Sequence, residues 1–568
     1  MASSSIPQWT APLREQTSGI DHLGLGSVGN QQILVRLVPD IYVLTQHPGY
    51  ASFYSFVLDE FWRRDHLPRT RTSWIRFFRS KDLIFAIAGN LCGHEGYGGE
   101  FRGIVGSGRS AALAEAPPAA GYSTDFNYIK SPLGGFGLYY RAPFVALGLI
   151  YPAIANGYPV DLPSERGQEL AAAFRERISK TQYFAKYFDA DVVPSEVVRQ
   201  YGEAACLCRL PGSNDRDVVR DVYLHGGPSP LSAWRRASLR MIVDIADQTS
   251  ELPVDESTYR QLIYFRECEG QGKYLPIAGE STPDHQAGIT ETWRRWRLYQ
   301  AREFYAYAID GLWRWLVDWG LERDGDVQPV QVDVAVAALR ALIDGASVHD
   351  SVGVSLPFQQ ATKASAATRL LSRAAGEADI APAGDSAWLD RAFPFDAELT
   401  EWLLYLMTSR GAAAPEVLTT GCIALLFLLA GRFAHPAVLA RDDWSFAHLG
   451  GIGRLSLHGF LTSLQRRFAR GDSVGDVAEW LLRDYVIAQH QRIAAGKLPF
   501  NTYRFVREGD RLRFFDRTRP IDMNSARFDA LSYMVSDLDF VRPLRLANHV
   551  LTPDGEAFLQ HGDWTPGS

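Results

Sequence analysis

Between Thr290 and Trp319 the residues Trp293, Trp296, Phe304, Tyr307 and Trp315, with Leu312 and Leu316, recur at spacings of three or four. That spacing is one face of an α-helix, and so much aromatic surface on one stripe has to be buried against other elements. The stripe predicts a core helix rather than a cofactor box. A second constraint is the apolar run Cys422 to Ala430, CIALLFLLA. As a helix it spans about 14 Å, half of a bilayer core, so it predicts a buried core helix and a protein that does not cross a membrane. The 568 residues, 46% hydrophobic and 22% charged, supply several such cores and exclude global disorder.

The pattern along the chain divides it into four stretches. Residues 1–160 predict a mixed α/β domain with glycine-rich loops: a short strand at 41–47, a helix from Phe53 to Trp62, and an ordered loop from Gly93 to Gly108, which holds seven glycines in sixteen residues. A connector at 110–121 and a turn leading into an apolar element at 131–152 complete it. Residues 161–344 read as a helical domain, 345–388 as a flexible connector rich in Ala, Ser and Gly, and 389–568 as a second helical domain. Helices are expected at 396–409, 415–433, 473–495 and 525–538, and a hairpin at 502–506 and 511–515 around Gly509. Near the end, Thr552 is a good N-cap with Pro553 at the first helical position. The resulting LTPxG, a strand closing into a helix, resembles the ends of winged-helix modules, and a looser copy stands at VDLPSERGQELAAAF, 160–174. Winged helices serve both nucleic-acid and protein contacts. The fold expected is mainly α and multidomain, with small winged-helix-like β-hairpins.

The net charge of −7 excludes a histone-like polycation. Of the 58 basic residues, 51 are Arg, which favours bidentate anion contacts over lysine chemistry. Locally the balance reverses. Residues 61–81 carry Arg63, Arg64, Arg69, Arg71, Arg76, Arg79 and Lys81 against Asp65 alone, interleaved with Trp62, Trp74, Phe77 and Phe78. Arginine contacts phosphates and aromatics stack on bases, so this composition suits nucleic acid, with DNA the expected ligand. A face paired to acidic neighbours, or a protein interface, is the alternative. A second basic region, 454–522, includes Arg504, Arg507, Arg511 and Arg513 on the expected hairpin, and Arg507, Arg511 and Arg513 are further candidate contacts.

Five cysteines, Cys92, Cys206, Cys208, Cys268 and Cys422, fit a reducing cytoplasm, and MASSSIPQWTAPLREQ does not read as a secretory signal. Cys206-Leu-Cys208 has no second Cys or His pair at zinc spacing, so the cysteines are expected to be buried and structural, with no metal and no cofactor.

Gly24-Leu-Gly26-Ser-Val-Gly29 matches GxGxxG, but a polar segment precedes it where a buried strand belongs, so a turn into a helix is expected. GQGK at 270–273 fails as a P-loop at both its first glycine and its Ser/Thr. There is no GxSxG, and His94-Glu95 lacks a second His at zincin spacing. RECEGQGK offers Glu267, Glu269, Gln271 and Lys273 on one strand face, with Asp244 or Asp247 upstream, as candidate residues of a magnesium nuclease.

GIDHLGLGSVGNQQILVRLVPDIYVLTQHPGYASFYSFVLDEF and WLLRDYVIAQHQRIAAGKL resemble stretches of large accessory proteins from prokaryotic anti-phage defence islands. The resemblance implies a cytoplasmic subunit working beside a separate ATPase or nuclease. Taken together, the expectation is a non-catalytic nucleic-acid-binding or scaffolding subunit. The rivals are a metal-dependent nuclease and a winged-helix DNA-binding regulator.

Overall fold

A computed structural model describes residues 21–99, 101–125, 128–251, 253–268, 272–276, 288–323, 328–345, 361–377, 387–409, 413–441, 446–450, 455–497, 502–517 and 521–564. The fold is mainly α with small antiparallel β elements. It divides into two units, each assembled from separated stretches. One comprises Met1–Leu34, Gln261–Glu269 and Arg294–Asn524, and the other Val35–Arg260, Gly270–Trp293 and Ser525–Ser568.

In the first unit, the helix Ile289–Glu322 runs through the core from Arg294 onward. The aromatic stripe is buried as its spacing requires, and Tyr299, Tyr305 and Trp313 on other faces are buried too. The helix is therefore enclosed on all sides. Pro415–Phe433 is the one helix among the described residues long and apolar enough to cross a membrane, and it is buried from Val417 to Phe433. The hairpin Phe505–Glu508 and Arg511–Phe514 forms as expected, turning at Gly509, whose φ is +66°. It pairs Phe505 with Phe514 and adds Val330–Gln331 on its other edge.

Some segments depart from the sequence reading. Residues 41–47 form no strand; Thr45 closes a turn onto the Tyr42 carbonyl at 3.0 Å, and the Arg527 guanidinium takes the Ile41 carbonyl at 2.6 Å. The stretch assigned to a connector at 110–121 begins inside a helix, Ser107–Glu115. Ala364–Ala374, within 345–388, is also helical. Short polar-apolar mixtures rich in Ala carry high helix propensity, and tertiary packing fixes them.

The second unit contains a repeated device. In its first copy the helix Arg141–Ala146 ends at Gly148 in the left-handed region, and the strand Ile150–Tyr151 pairs antiparallel with Leu162–Pro163. Ser164 donates its N–H to the Leu149 carbonyl at 3.0 Å and its hydroxyl to the Gly148 carbonyl at 2.7 Å, then caps the helix Glu165–Ile178 by accepting the Gly167 N–H. In the terminal copy the helix Phe528–Asp537 is followed by Asp539, also left-handed, and a bridge joins Val541 to Leu551. Thr552 donates its N–H to the Phe540 carbonyl at 3.0 Å and its hydroxyl to the Asp539 carbonyl at 2.5 Å, and accepts the Gly555 N–H at the start of Pro553–His561. Gly167 and Gly555 are required by close approach, since a Cβ would collide with the Leu149 and Phe540 carbonyl oxygens respectively. The first copy also carries the short helix Ala153–Asn156 between its two strands, whereas the terminal copy has a single bridge in place of a strand pair. The hairpin at 505–514 is no part of the terminal copy, because it belongs to the first unit.

Candidate binding faces and a cysteine–histidine cluster

The basic segment 61–81 is absorbed largely into the protein itself. Arg63 pairs with Asp59 at 2.6 Å, and Arg64 with Glu60 and, at 3.1 Å, with Asp189. Arg69 lies over the Phe61 and Trp62 rings and donates to the carbonyls of Phe61, Trp62, Arg64 and Leu67, so it fastens the turn out of the helix Tyr50–Arg63. Arg79 donates to the Ile129 carbonyl at 3.0 Å. Lys81 is buried against the Phe77 and Phe188 rings, donates to the Phe188 carbonyl and lies 3.5 Å from Asp189. Burial lowers its pKa to about 8, against the opposing pull of Asp189. Trp74, Phe77 and Phe78 are core residues rather than stacking platforms.

Arg71 and Arg76 remain exposed. On the helix Arg71–Leu91, Thr72, Arg76, Arg79 and Ser80 fall at helical spacing and line an open cleft. Asp125, Asp189 and Asp191 line the same cleft, and their carboxylates oppose a phosphate. On the hairpin, Arg513 pairs with Glu508 at 2.9 Å, Arg507 donates to the Gly509 carbonyl, and Arg511 is exposed.

The first of the two repeated modules presents a different kind of surface. Leu138, on the helical turn Phe136–Tyr140 that leads into Arg141–Ala146, Val145 on that helix, and Tyr151, Ile154 and Tyr158 on the wing between Ile150 and Leu162 are large side chains exposed at the surface; Tyr158 packs edge-on against Trp62, and Ile154 is 99% exposed. Beneath them Phe136, Tyr140 and Phe144 are buried. The wing is held rigidly: Arg141 makes a two-pronged contact with the buried Asp161 at 2.6 and 2.7 Å, and Asp161 also accepts the Ala153 N–H. Five large apolar groups exposed within about twenty residues depart from the scattered exposure of an ordinary surface. In the terminal module, by contrast, Phe528 and every residue from Ala530 to Asp537 are buried, so that helix cannot enter a DNA groove.

Sequence reading missed one constellation. Cys92 stands immediately after the helix Arg71–Leu91, and Cys206 immediately after the helix Ser195–Ala205. These helices cross closely at Gly202, where a Cβ would sit 2.5 Å from the Ala88 carbonyl oxygen. The crossing brings the sulfurs of Cys92, Cys206 and Cys208 and a ring nitrogen of His94 within 4.8 Å of one another. The Cys92 and Cys208 sulfurs are 3.5 Å apart, and Cys206 Sγ is 3.6 Å from His94 Nδ1. Hydrogen bonds from Cys206 and Cys208 hold the Cys92 thiol well below the usual thiol range, while its bonds to Cys208 and Cys92, with burial, push Cys206 up. His94 has a φ of +46° and its ring stacks on Phe101, which stacks on His47; the His47 Nδ1 is 2.7 Å from Asp537.

Of the residues considered for a nuclease, Glu267 and Lys273 lie on the two strands of one small sheet, Glu267–Cys268 and Gly272–Lys273, Glu267 half-buried and Lys273 exposed, and Glu269 and Gln271 lie outside the described residues. Asp244 is buried and accepts from the Tyr274 hydroxyl at 2.9 Å and from Gln248. Among the described residues the cysteine–histidine group is the one set of three or more such side chains close enough to share an ion. At GxGxxG the Asp21 carboxylate accepts the Gly26 and Ser27 N–H groups at 2.9 Å, the place a phosphate would take. No protein-family model, curated protein or solved structure matches the chain.

Proposed function

We propose that this chain is a non-catalytic scaffolding subunit that docks another protein through its first helix–wing module. The observation that carries this reading is the exposure of Leu138, Val145, Tyr151, Ile154 and Tyr158 on a wing braced by Arg141 and Asp161. A braced apolar face meets a protein surface at little ordering cost. The resemblance to defence-island accessory proteins supports a partner of the ATPase or nuclease class in a prokaryotic cytoplasm. Nucleic acid is the second reading, favoured by the stripe of Arg76, Thr72 and Ser80 with exposed Arg71 beside it.

One experiment separates them. The full chain is co-expressed with the products of its neighbouring genes, and binding to duplex and single-stranded DNA is measured in parallel at several salt concentrations. Leu138→Arg/Ile154→Arg is expected to lower partner recovery more than tenfold while Arg71→Glu/Arg76→Glu leaves it intact. Steeply salt-dependent DNA binding, lost in the arginine reversals, together with unchanged partner recovery in the apolar variants, would instead establish the nucleic-acid reading.

A further inference from the structure

We infer that Cys92, His94, Cys206 and Cys208 bind one zinc ion and that it ties the glycine-rich loop after Cys92 to the turn at 206–212. A tetrahedral ion with Zn–S bonds of about 2.3 Å and a Zn–N bond of about 2.0 Å places its ligand atoms about 3.5–3.8 Å apart. The Cys92–Cys208 and Cys206–His94 separations, 3.5 and 3.6 Å, are already of that size. They exclude a Cys92–Cys208 disulfide, which needs sulfurs about 2.05 Å apart. Three thiolates and an imidazole match zinc in donor type and number.

The surroundings fit the same assignment. Each ligand pair follows a helix C-terminus, whose partial negative charge favours a cation. Three thiolates, a neutral imidazole and Zn²⁺ leave one net negative charge. Arg209 lies close enough for its charge to act on Cys208 and Cys92, although its guanidinium also pairs with Glu95 at 3.1 Å, and its buried Nε has no hydrogen-bond partner. The stack of His94 on Phe101 fixes the imidazole plane, as outer-shell contacts do for metal-bound histidines. Four protein ligands fill a tetrahedral ion and leave no position for substrate, so the role is structural.

The test is elemental analysis of the full chain purified without chelators. One zinc per chain is expected, falling below a tenth of that in Cys92→Ser and Cys206→Ser and persisting in His94→Cys, which supplies a fourth thiolate. Should a serine variant fail to fold, the wild type decides alone. A mercurial added to the folded protein should release one zinc per chain to a metallochromic dye, and amide exchange across 93–106 should then rise more than tenfold. Wild-type protein that carries no zinc and takes none up from micromolar Zn²⁺, or that carries iron instead, overturns the assignment.

Discussion

The two modules that lead into the helices Glu165–Ile178 and Pro553–His561 share one backbone device and use it oppositely. Each has a left-handed residue after its first helix, a Ser or Thr whose hydroxyl and N–H bind carbonyls earlier in the chain, and a glycine packed against one of those segments' carbonyl oxygens, Leu149 or Phe540. In the terminal module the helix Phe528–Asp537 is enclosed by the second unit's core. In the first, the corresponding segment and wing carry exposed Leu138, Val145 and Ile154. Local hydrogen bonding therefore specifies the corner, while the side chains facing outward decide whether the module is core or surface.

The sharpest contrast is expected between the helix Phe528–Asp537 and the helical turn Phe136–Tyr140. Leu531→Ala, which hollows a fully buried position, should destabilise the second unit by about 2–5 kcal/mol. Leu138→Ala, at an exposed position, should stay within about 0.5 kcal/mol. Thermal unfolding combined with amide exchange localised to the second unit reads both. Equal losses would remove the distinction between a core module and a presenting one.

The shared corner should respond alike in both copies. Gly555→Ala and Gly167→Ala force a methyl against the Phe540 and Leu149 carbonyl oxygens, and each is expected to cost about 1–3 kcal/mol. A neutral result at either site, by the same measurements, would show that the two corners are not built alike. The caps are the smallest effect. Thr552→Ala and Ser164→Ala remove the acceptor for the Gly555 and Gly167 N–H groups and should each cost about 1 kcal/mol.

What the sequence discloses follows from how local each feature is. The terminal cap, Thr552-Pro553, the helix Pro415–Phe433 and the hairpin around Gly509 are set by neighbouring residues, and all three were legible. The aromatic stripe of the helix Ile289–Glu322 was legible for the same reason. The cysteine–histidine cluster was not. Its two pairs, Cys92-Gly-His94 and Cys206-Leu-Cys208, are spaced by a single residue, shorter than the usual C-x₂₋₄-C, and Cys206 and His94 lie 112 positions apart. Their meeting depends on a helix crossing at Gly202, which no periodicity announces. The basic segment shows a different limit of composition. Arg69 and Arg71 are indistinguishable in composition, yet a turn surrounds Arg69 with four carbonyl oxygens and leaves Arg71 in water. A local excess of charge reveals neither which cations are consumed internally nor that Asp189, from a distant stretch, answers two of them.

The most direct test places the same photo-crosslinking amino acid on the two wings of the intact protein, at Ile154 and at Val550, which is 55% exposed. The probe is activated in cells expressing the neighbouring genes. A discrete protein crosslink is expected from position 154 and little or none from position 550. Equal crosslinking from both wings, or nucleic acid rather than protein captured at 154, would contradict it.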